Sequence, residues 1–273
     1  MSPIIKKIYK KDNDYQHIEV LKRNRYKRFK YKKFFVEGVE PINQALKNNW
    51  DVISFIYSKE NNLSDWAKNI LDNSTAKVHY EMSKELMDSI SDKNNPSELL
   101  AILSMPSNDL SKIKIHKTTL IVVFDRPSDR GNLGTIIRSC SSFNVDGLII
   151  TGHCVDLYDP KVIRSSLGSF FSMPVLRLES YKKLIPWFNE LKKRNDDFQI
   201  VGTSVHTDID IVNHNFNKPT VLIIGNETYG MSKNYLEISD SIVKIPIYGV
   251  TSSLNVACAT SIVLYEVDRQ RRN

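Results

Sequence analysis

No run in this 273-residue chain approaches the ~20 apolar residues that a membrane-spanning helix needs. The start, Met1-Ser-Pro-Ile-Ile-Lys-Lys7, lacks the apolar core of a secretory signal, so the expected location is cytoplasmic, with no membrane partner. Cysteine is scarce. Cys140, Cys154 and Cys258 are unevenly spaced and odd in number, which argues against a disulfide framework and leaves three reduced thiols. No pair of them has metal-site spacing, and the six histidines are scattered, so no metal is expected. The G-x-G-x-x-G turn of dinucleotide-binding proteins is missing, as are internal repeats and low-complexity tracts. What is there is 41% apolar, enough to bury a core in one large domain or two ordinary ones.

Charge is unevenly placed. The net charge is +7, yet residues 22–33 hold eight basic side chains and no acidic one, leaving the rest of the chain slightly negative. These are Lys22, Arg23, Arg25, Lys27, Arg28, Lys30, Lys32 and Lys33, interleaved with Tyr26, Phe29 and Tyr31. Lysine and arginine neutralise phosphates, and aromatic rings stack on unpaired bases, so the segment reads as an RNA contact. The plainer alternative is a solvated helix or tail. A membrane surface is disfavoured, because the aromatics alternate too closely to form one apolar face.

Along the chain, residues 1–33 read as a basic lead-in. A short strand at 34–37 precedes an amphipathic helix, and further strands follow at 52–57, 77–80 and 99–104, with helices at 62–72 and 82–91. Asn94-Asn95-Pro96 breaks the last of these helices. Residues 105–117 have no clear period and read as a linker. Beyond it, strands are predicted at 119–124, 147–151, 198–203, 219–225 and 242–246. Helices are predicted near 132–143, 160–171, 180–194, 232–238 and 253–270. The alternation predicts an α/β protein with a parallel sheet, whose ligand crevice lies at the carboxyl ends of its strands.

Three segments carry chemistry. Phe124-Asp-Arg-Pro-Ser-Asp-Arg-Gly-Asn-Leu-Gly-Thr-Ile-Ile-Arg-Ser139 follows an apolar strand and opens a helix about one turn before Arg138. Pro219-Thr-Val-Leu-Ile-Ile-Gly-Asn-Glu-Thr-Tyr-Gly-Met-Ser232 runs a strand into a glycine turn containing Glu227. Ile245-Pro-Ile-Tyr-Gly-Val-Thr-Ser-Ser-Leu-Asn-Val256 ends in Ser253-Leu254-Asn255 at a helix start. Taken singly, each has a plain structural reading: a surface or stem-packed arginine, a carboxylate satisfying loop amides, a serine cap. Together, in this order, they resemble the three motifs of the SpoU (TrmH-like) RNA ribose 2′-O-methyltransferases of the SPOUT superfamily, over roughly residues 118–268. Two departures stand out: the family more often has a small residue where this chain has Asn226, and a Glu-Gly pair at Glu227-Thr228.

The resemblance implies a SPOUT-type catalytic domain over 115–273, with a C-terminal knot, behind a small α/β RNA-binding domain over 1–105. It implies S-adenosylmethionine as cofactor, held by loop backbone at Thr203, Gly225, Ile245, Ser253 and Leu254. Arg138, Glu227 and Asn255 fall where the family keeps its catalytic residues, with Glu227 expected to order its loop and hold Arg138 or the third motif. A guanidinium stays protonated and is a poor base. Arg138 is therefore expected to grip an RNA phosphate and stabilise the developing 2′-alkoxide. The family's homodimer is expected too, with the small-residue face Ala257 to Ser261 as a candidate contact. The substrate is expected to be ribosomal RNA, with tRNA, or a non-catalytic RNA-binding or ribosome-assembly role on the same fold, as alternatives.

Overall fold

The computed structural model describes residues 3–91 and 96–272, so the predicted break at Asn94-Asn95 lies outside the described residues. Two units form. The first comprises Met1–Ser107 and Tyr158–Ser172, and the second Asn108–Leu157 and Met173–Asn273.

The first unit runs β1 (Ile4–Ile8), α1 (Asn13–Arg23), α2 (Arg25–Tyr31), β2 (Lys33–Glu37), α3 (Val39–Lys47), β3 (Val52–Tyr57), α4 (Asp65–Asp72), β4 (Val78–Met82), α5 (Lys84–Ile90) and β5 (Leu99–Ser104). Its sheet has the order β1-β4-β3-β5-β2, parallel across β1, β4 and β3 and antiparallel where β5 meets β3 and β2. Apolar residues on one face of α1 (Tyr15, Ile18, Leu21) and α5 (Leu86, Met87, Ile90) pack on Phe35, Ile56, Leu100 and Ile102 of the sheet.

This corrects two expectations. The basic lead-in is folded, with β1 paired to β4 and α1 in the core. Lys22 and Arg28 are buried and are not RNA contacts. Lys22 donates to the carbonyl of Ile90. Arg28 Nη1 donates to the carbonyls of Leu21 and Lys22 at 2.9 and 2.6 Å, and its Nη2 lies 3.8 Å from Asp159 Oδ2. The reason is local. The last carbonyls of α1 have no partner within that helix, and a cation at a helix C-terminus also meets a favourable dipole.

Burial also sets a pH dependence. His79 on β4, beside the Phe55 ring, and His17 and His214 all have their pKa values pushed down by burial, with Lys33 adding to the effect at His17. The folded chain therefore binds fewer protons than the unfolded chain near the ordinary histidine pKa of ~6.5. Stability is full above that value and falls as pH drops through it. Melting temperature should decline between pH 7.5 and 5, and His79→Leu should flatten the decline.

The second unit runs β6 (Leu120–Asp125), α6 (Arg130–Ser142) and β7 (Gly147–Thr151). After α7 (Pro160–Ser165), which belongs to the first unit, it continues with β8 (Val175–Leu178), α8 (Ile185–Arg194), β9 (Gln199–Thr203), β10 (Thr220–Ile224), α9 (Lys233–Ile238), β11 (Ser241–Val243) and α10 (Val256–Arg271). Its six strands are all parallel, in the order β11-β9-β10-β6-β7-β8. The central strands β6 and β10 are buried along their whole length, as their unbroken apolar runs require. Arg271, at the end of α10, donates to the carbonyls of Phe216, Thr118 and Lys218 at 2.9, 2.7 and 2.9 Å, fastening the last helix near the starts of β6 and β10.

Several boundaries move. Residues 158–172, expected in the second domain, pack with the first: Trp50 Nε1 donates to the Phe171 carbonyl at 3.0 Å, and Phe34, Tyr158 and Phe170 surround that contact. The expected helix there is the short α7 plus a 3-10 turn at Ser169–Phe171. The helix expected over 180–194 splits into a 3-10 turn and α8. The four-residue β8 was not predicted. Strand β11 ends at Val243, which leaves Ile245 in the following loop. The last helix begins at Val256, so Ser253 is not its cap.

Candidate cofactor and active site

Because all six strands of the second unit are parallel, their carboxyl ends share one edge, and the loops after three neighbouring strands, β9, β10 and β11, enclose a space there. Loop 204–206 follows β9, turn 225–231 follows β10, and loop 244–255 follows β11. Between them lies a cavity of about 630 Å3, within the range that drug-sized ligands occupy. Thr203, Gly225, Ile245, Ser253 and Leu254 all line it, as does Glu227. Its apolar wall includes Ile224, Val243, Val256 and Val263.

The turn after β10 is over-determined. A Cβ on Gly225 would lie 2.2 Å from the backbone nitrogen of Met231, so no other residue fits there without the turn opening. Asn226 and Gly230 exchange backbone bonds of 2.9 and 3.0 Å. Asn226 Oδ1 accepts from the N–H groups of Thr228 and Tyr229, and its Nδ2 donates to the Arg126 carbonyl at 2.7 Å. The asparagine that departs from the family pattern thus braces the turn with its own side chain.

Glu227 departs from its expected role. Its carboxylate accepts from the N–H groups of Ser128 and Asp129, at 2.9 and 3.0 Å in the shortest bonds, and from Ser128 Oγ at 2.7 Å. It pins the β6–α6 loop, not Arg138 or the third motif; the plain reading, a carboxylate satisfying loop amides, is the observed one. Buried Asp125 ties the same two segments, accepting from the Ser232 N–H at 2.9 Å and pairing with Arg126 at 3.0 Å.

Asn255 is the N-cap of α10. Its Oδ1 accepts from the N–H groups of Ala257 and Cys258, and its Nδ2 donates to Asn132 Oδ1 at 3.0 Å. A second link, Ser139 Oγ to Ser261 Oγ at 2.8 Å, joins α6 and α10 further along. The first and third motifs are thereby held together. Asn132, Ser128 and Ser139 were not singled out as site residues from sequence, although Asn132 lies between the two glycines that mark the helix start.

Arg138 is exposed on α6, pairs with no carboxylate among the described residues, and is not in the lining of the cavity. Among the described residues no group of histidine, cysteine or carboxylate side chains could hold a metal, and no helix is long and apolar enough to cross a membrane.

The donor set fits S-adenosylmethionine. Ile245 and Leu254 line the cavity with backbone groups that have no backbone partners among the described residues, beside an apolar wall that suits an adenine ring. Ile245 and Leu254 would hold the adenine edge, and Thr203 and Ser253 would add polar contacts.

Fold and site together define an α/β protein whose parallel sheet carries a cofactor crevice built from three loops, two of them braced against the β6–α6 segment. The SpoU rRNA Methylase family model matches residues 119–265, and the SpoU L30e-like domain model matches residues 12–101. The chain belongs to the SpoU rRNA methylase family. It is 38% identical over 271 residues, 99% of this chain and 94% of the relative, to a 23S rRNA (uridine(2479)-2′-O)-methyltransferase of Streptomyces viridochromogenes. It is 27% identical over 240 residues, 88% of this chain and 90% of the relative, to the 23S rRNA (guanosine(2553)-2′-O)-methyltransferase RlmP of Bacillus subtilis. The crystal structure of the SpoU methyltransferase AviRb from Streptomyces viridochromogenes, in complex with the cofactor AdoMet, superposes with a TM-score of 0.91 at 39% identity, covering 96% of this chain and 99% of that one.

Proposed function

We propose that this chain methylates the 2′-hydroxyl of a ribose in ribosomal RNA, using S-adenosylmethionine. The observation that carries the reading is the cavity at the carboxyl ends of β9, β10 and β11, with all five expected cofactor residues in its lining. Ribosomal RNA is favoured over tRNA by the L30e-like domain and by the substrates in the names of the two relatives.

S-adenosylmethionine supplies an electrophilic methyl group when bound. The chain's own residues do the rest. Glu227, Asp125 and the Asn132–Asn255 pair hold three loops in one geometry, which keeps the reacting groups aligned. Arg138 grips an RNA phosphate and stabilises the charge that develops on the 2′-oxygen, while that oxygen's proton passes to a neighbouring phosphate. Arg138 is not in the lining of its own chain's cavity, and in this reading it serves the cavity of a second copy. The small-residue face expected to make the contact is largely turned inward, with Ala257 and Thr260 buried and Ser261 bonded to Ser139; exposed Ile262 and Tyr265 on α10, the helix that α6 packs against, give such a homodimer an apolar contact instead. The cytoplasmic location and the knotted crossing of the family are part of the same reading.

The test is direct. Purified protein in metal-free buffer should bind S-adenosylmethionine by calorimetry and transfer labelled methyl to unmethylated large-subunit rRNA transcribed in vitro. Failure of both in a folded sample refutes the reading; transfer to bulk tRNA alone favours the alternative substrate.

The basic helix supplies affinity. Arg23, Lys30 and Lys32 are exposed and Lys27 is half-buried. Changing these four to Gln should flatten the salt dependence of RNA binding, by about one unit of log–log slope for each phosphate no longer neutralised. Cofactor affinity should not move. Arg28→Gln should instead lower melting temperature, because its guanidinium is spent on α1 carbonyls.

A further inference from the structure

One ring at the rim of the cavity braces nothing. Tyr229 lines the cavity and is nonetheless 80% exposed. Its backbone is among the best-secured in the site. The N–H donates to Asn226 Oδ1 at 3.0 Å, the turn is closed on each side of it by the Asn226–Gly230 bonds, and the neighbouring Glu227 is anchored to Ser128 and Asp129. A rigid base thus displays a ring that packs on no aromatic neighbour and whose hydroxyl has no partner among the described residues. Ser252, Ser253 and Leu254 line the same cavity from the loop after β11. That loop displays a second ring, Tyr248, at 95% exposure.

The surroundings indicate what such rings meet. Thr228 and Gly230 flank Tyr229, and Gly249, Thr251 and Ser252 follow Tyr248, all exposed and polar or lacking a side chain; the exposed aliphatic residues of the same loops and cavity lining are Val205, Leu236, Val250 and Leu254. Contiguous apolar area is what marks a protein-binding patch. Isolated aromatic faces among hydroxyls suit nucleobases, since every base has a π-face and stacking does not depend on its identity. A nucleotide whose ribose reaches a cavity beside a folded turn must also leave the stack of its own strand, which strips its base of neighbours.

Resting on the methyltransferase reading above, we propose that Tyr229 is the platform on which the base of the methylated nucleotide stacks, with Tyr248 receiving the adjacent base. The pre-formed turn means that little order is lost when the base arrives. The target ribose is thereby set at the cavity mouth through its own base, without readout of that base's edge.

The experiment uses the full-length protein and unmethylated large-subunit rRNA transcribed in vitro. KM for RNA and kcat are measured for the wild type and for Tyr229→Ala, Tyr229→Phe, Tyr229→Trp and Tyr248→Ala, with S-adenosylmethionine affinity by calorimetry on the same samples. Tyr229→Ala should raise KM for RNA on the order of 10- to 100-fold, the range that the loss of one stacked base implies. Its cofactor affinity should stay within about twofold of wild type. Tyr229→Phe and Tyr229→Trp should keep KM near the wild-type value, because a ring, not a hydroxyl, is needed, and Tyr248→Ala should raise it by a smaller factor. An unchanged KM in Tyr229→Ala beside an active wild type overturns the proposal and leaves the methyltransferase reading intact. Two other outcomes also overturn it: a loss of cofactor affinity equal to the loss in RNA binding, which makes Tyr229 a cavity wall, and conversion of a dimer to a monomer in sedimentation, which makes it a subunit contact. A wild-type chain that binds no S-adenosylmethionine and methylates no RNA removes the underlying reading and this inference with it.

Discussion

Arg138→Ala should cut single-turnover methyl transfer by about 10²–10³-fold, the usual consequence of deleting one donor that meets charge only in the transition state. Its affinity for S-adenosylmethionine should be unchanged, because the side chain lies outside the cavity lining. Melting temperature should hardly change either. The guanidinium is exposed and pairs with no carboxylate among the described residues, so its removal strands no buried partner. Arg138→Lys should not rescue turnover, since an ammonium presents a point charge where a planar fork is needed. A structural arginine gives the opposite pattern, a lower melting temperature with normal transfer by the fraction still folded. Single-turnover rates and melting curves on the same samples separate the two, and normal turnover in folded Arg138→Ala refutes the role assigned.

The contrast between Arg138 and Arg28 shows what a sequence can and cannot tell. Both are arginines on helices beside other polar residues. Arg28 sits in the most basic stretch of the chain, yet it is buried and satisfies the last carbonyls of α1. Local composition pointed to solvent and phosphate. The carbonyls left open where α1 ends overrode it, because the break between α1 and α2 at Asn24 was not read from the sequence. The strands of the second unit were legible for the opposite reason. Segments such as Leu120–Asp125 and Thr220–Ile224 are buried on both faces, so burial is written directly as an unbroken apolar run. Strand β8 has only four residues, one of them Arg177, and offers too short a run to read. The cavity residues were legible as positions in motifs, whereas the wiring was not. That Glu227 would reach Ser128, some hundred residues away, and that Asn255 would reach Asn132, depends on β6 and β10 being neighbours in the sheet. Residues 158–172 were misplaced because a chain can leave one unit, pack in another and return without any change in its period.

Gly225→Ala should be the most damaging change of a single methyl group in the second unit. The added Cβ would lie 2.2 Å from Met231 N and 2.3 Å from the Gly230 carbonyl carbon, both backbone atoms that no rotamer can move aside. Relief requires the turn to open, which breaks the Asn226–Gly230 pairing and displaces the wall that Gly225, Glu227 and Tyr229 give the cavity. Overpacking of this kind costs about 1–3 kcal/mol, which lowers melting temperature by several degrees in a chain of this size. Cofactor affinity should fall by at least about tenfold, since a 1.4 kcal/mol loss at the ligand is already a decade. Gly230→Ala is the control. A Cβ there meets nothing within 4 Å, so only its positive φ of 64° is strained, and the cavity wall should survive. The two inactive variants also test the homodimer. In an isologous dimer whose cavity is completed by the partner's arginine, co-expressing Arg138→Ala with Gly225→Ala chains gives mixed dimers with one complete site. With random pairing, about a quarter of wild-type activity should return. No recovery, with mixed dimers confirmed by differential tagging, would place Arg138 at its own chain's cavity and remove the trans assignment.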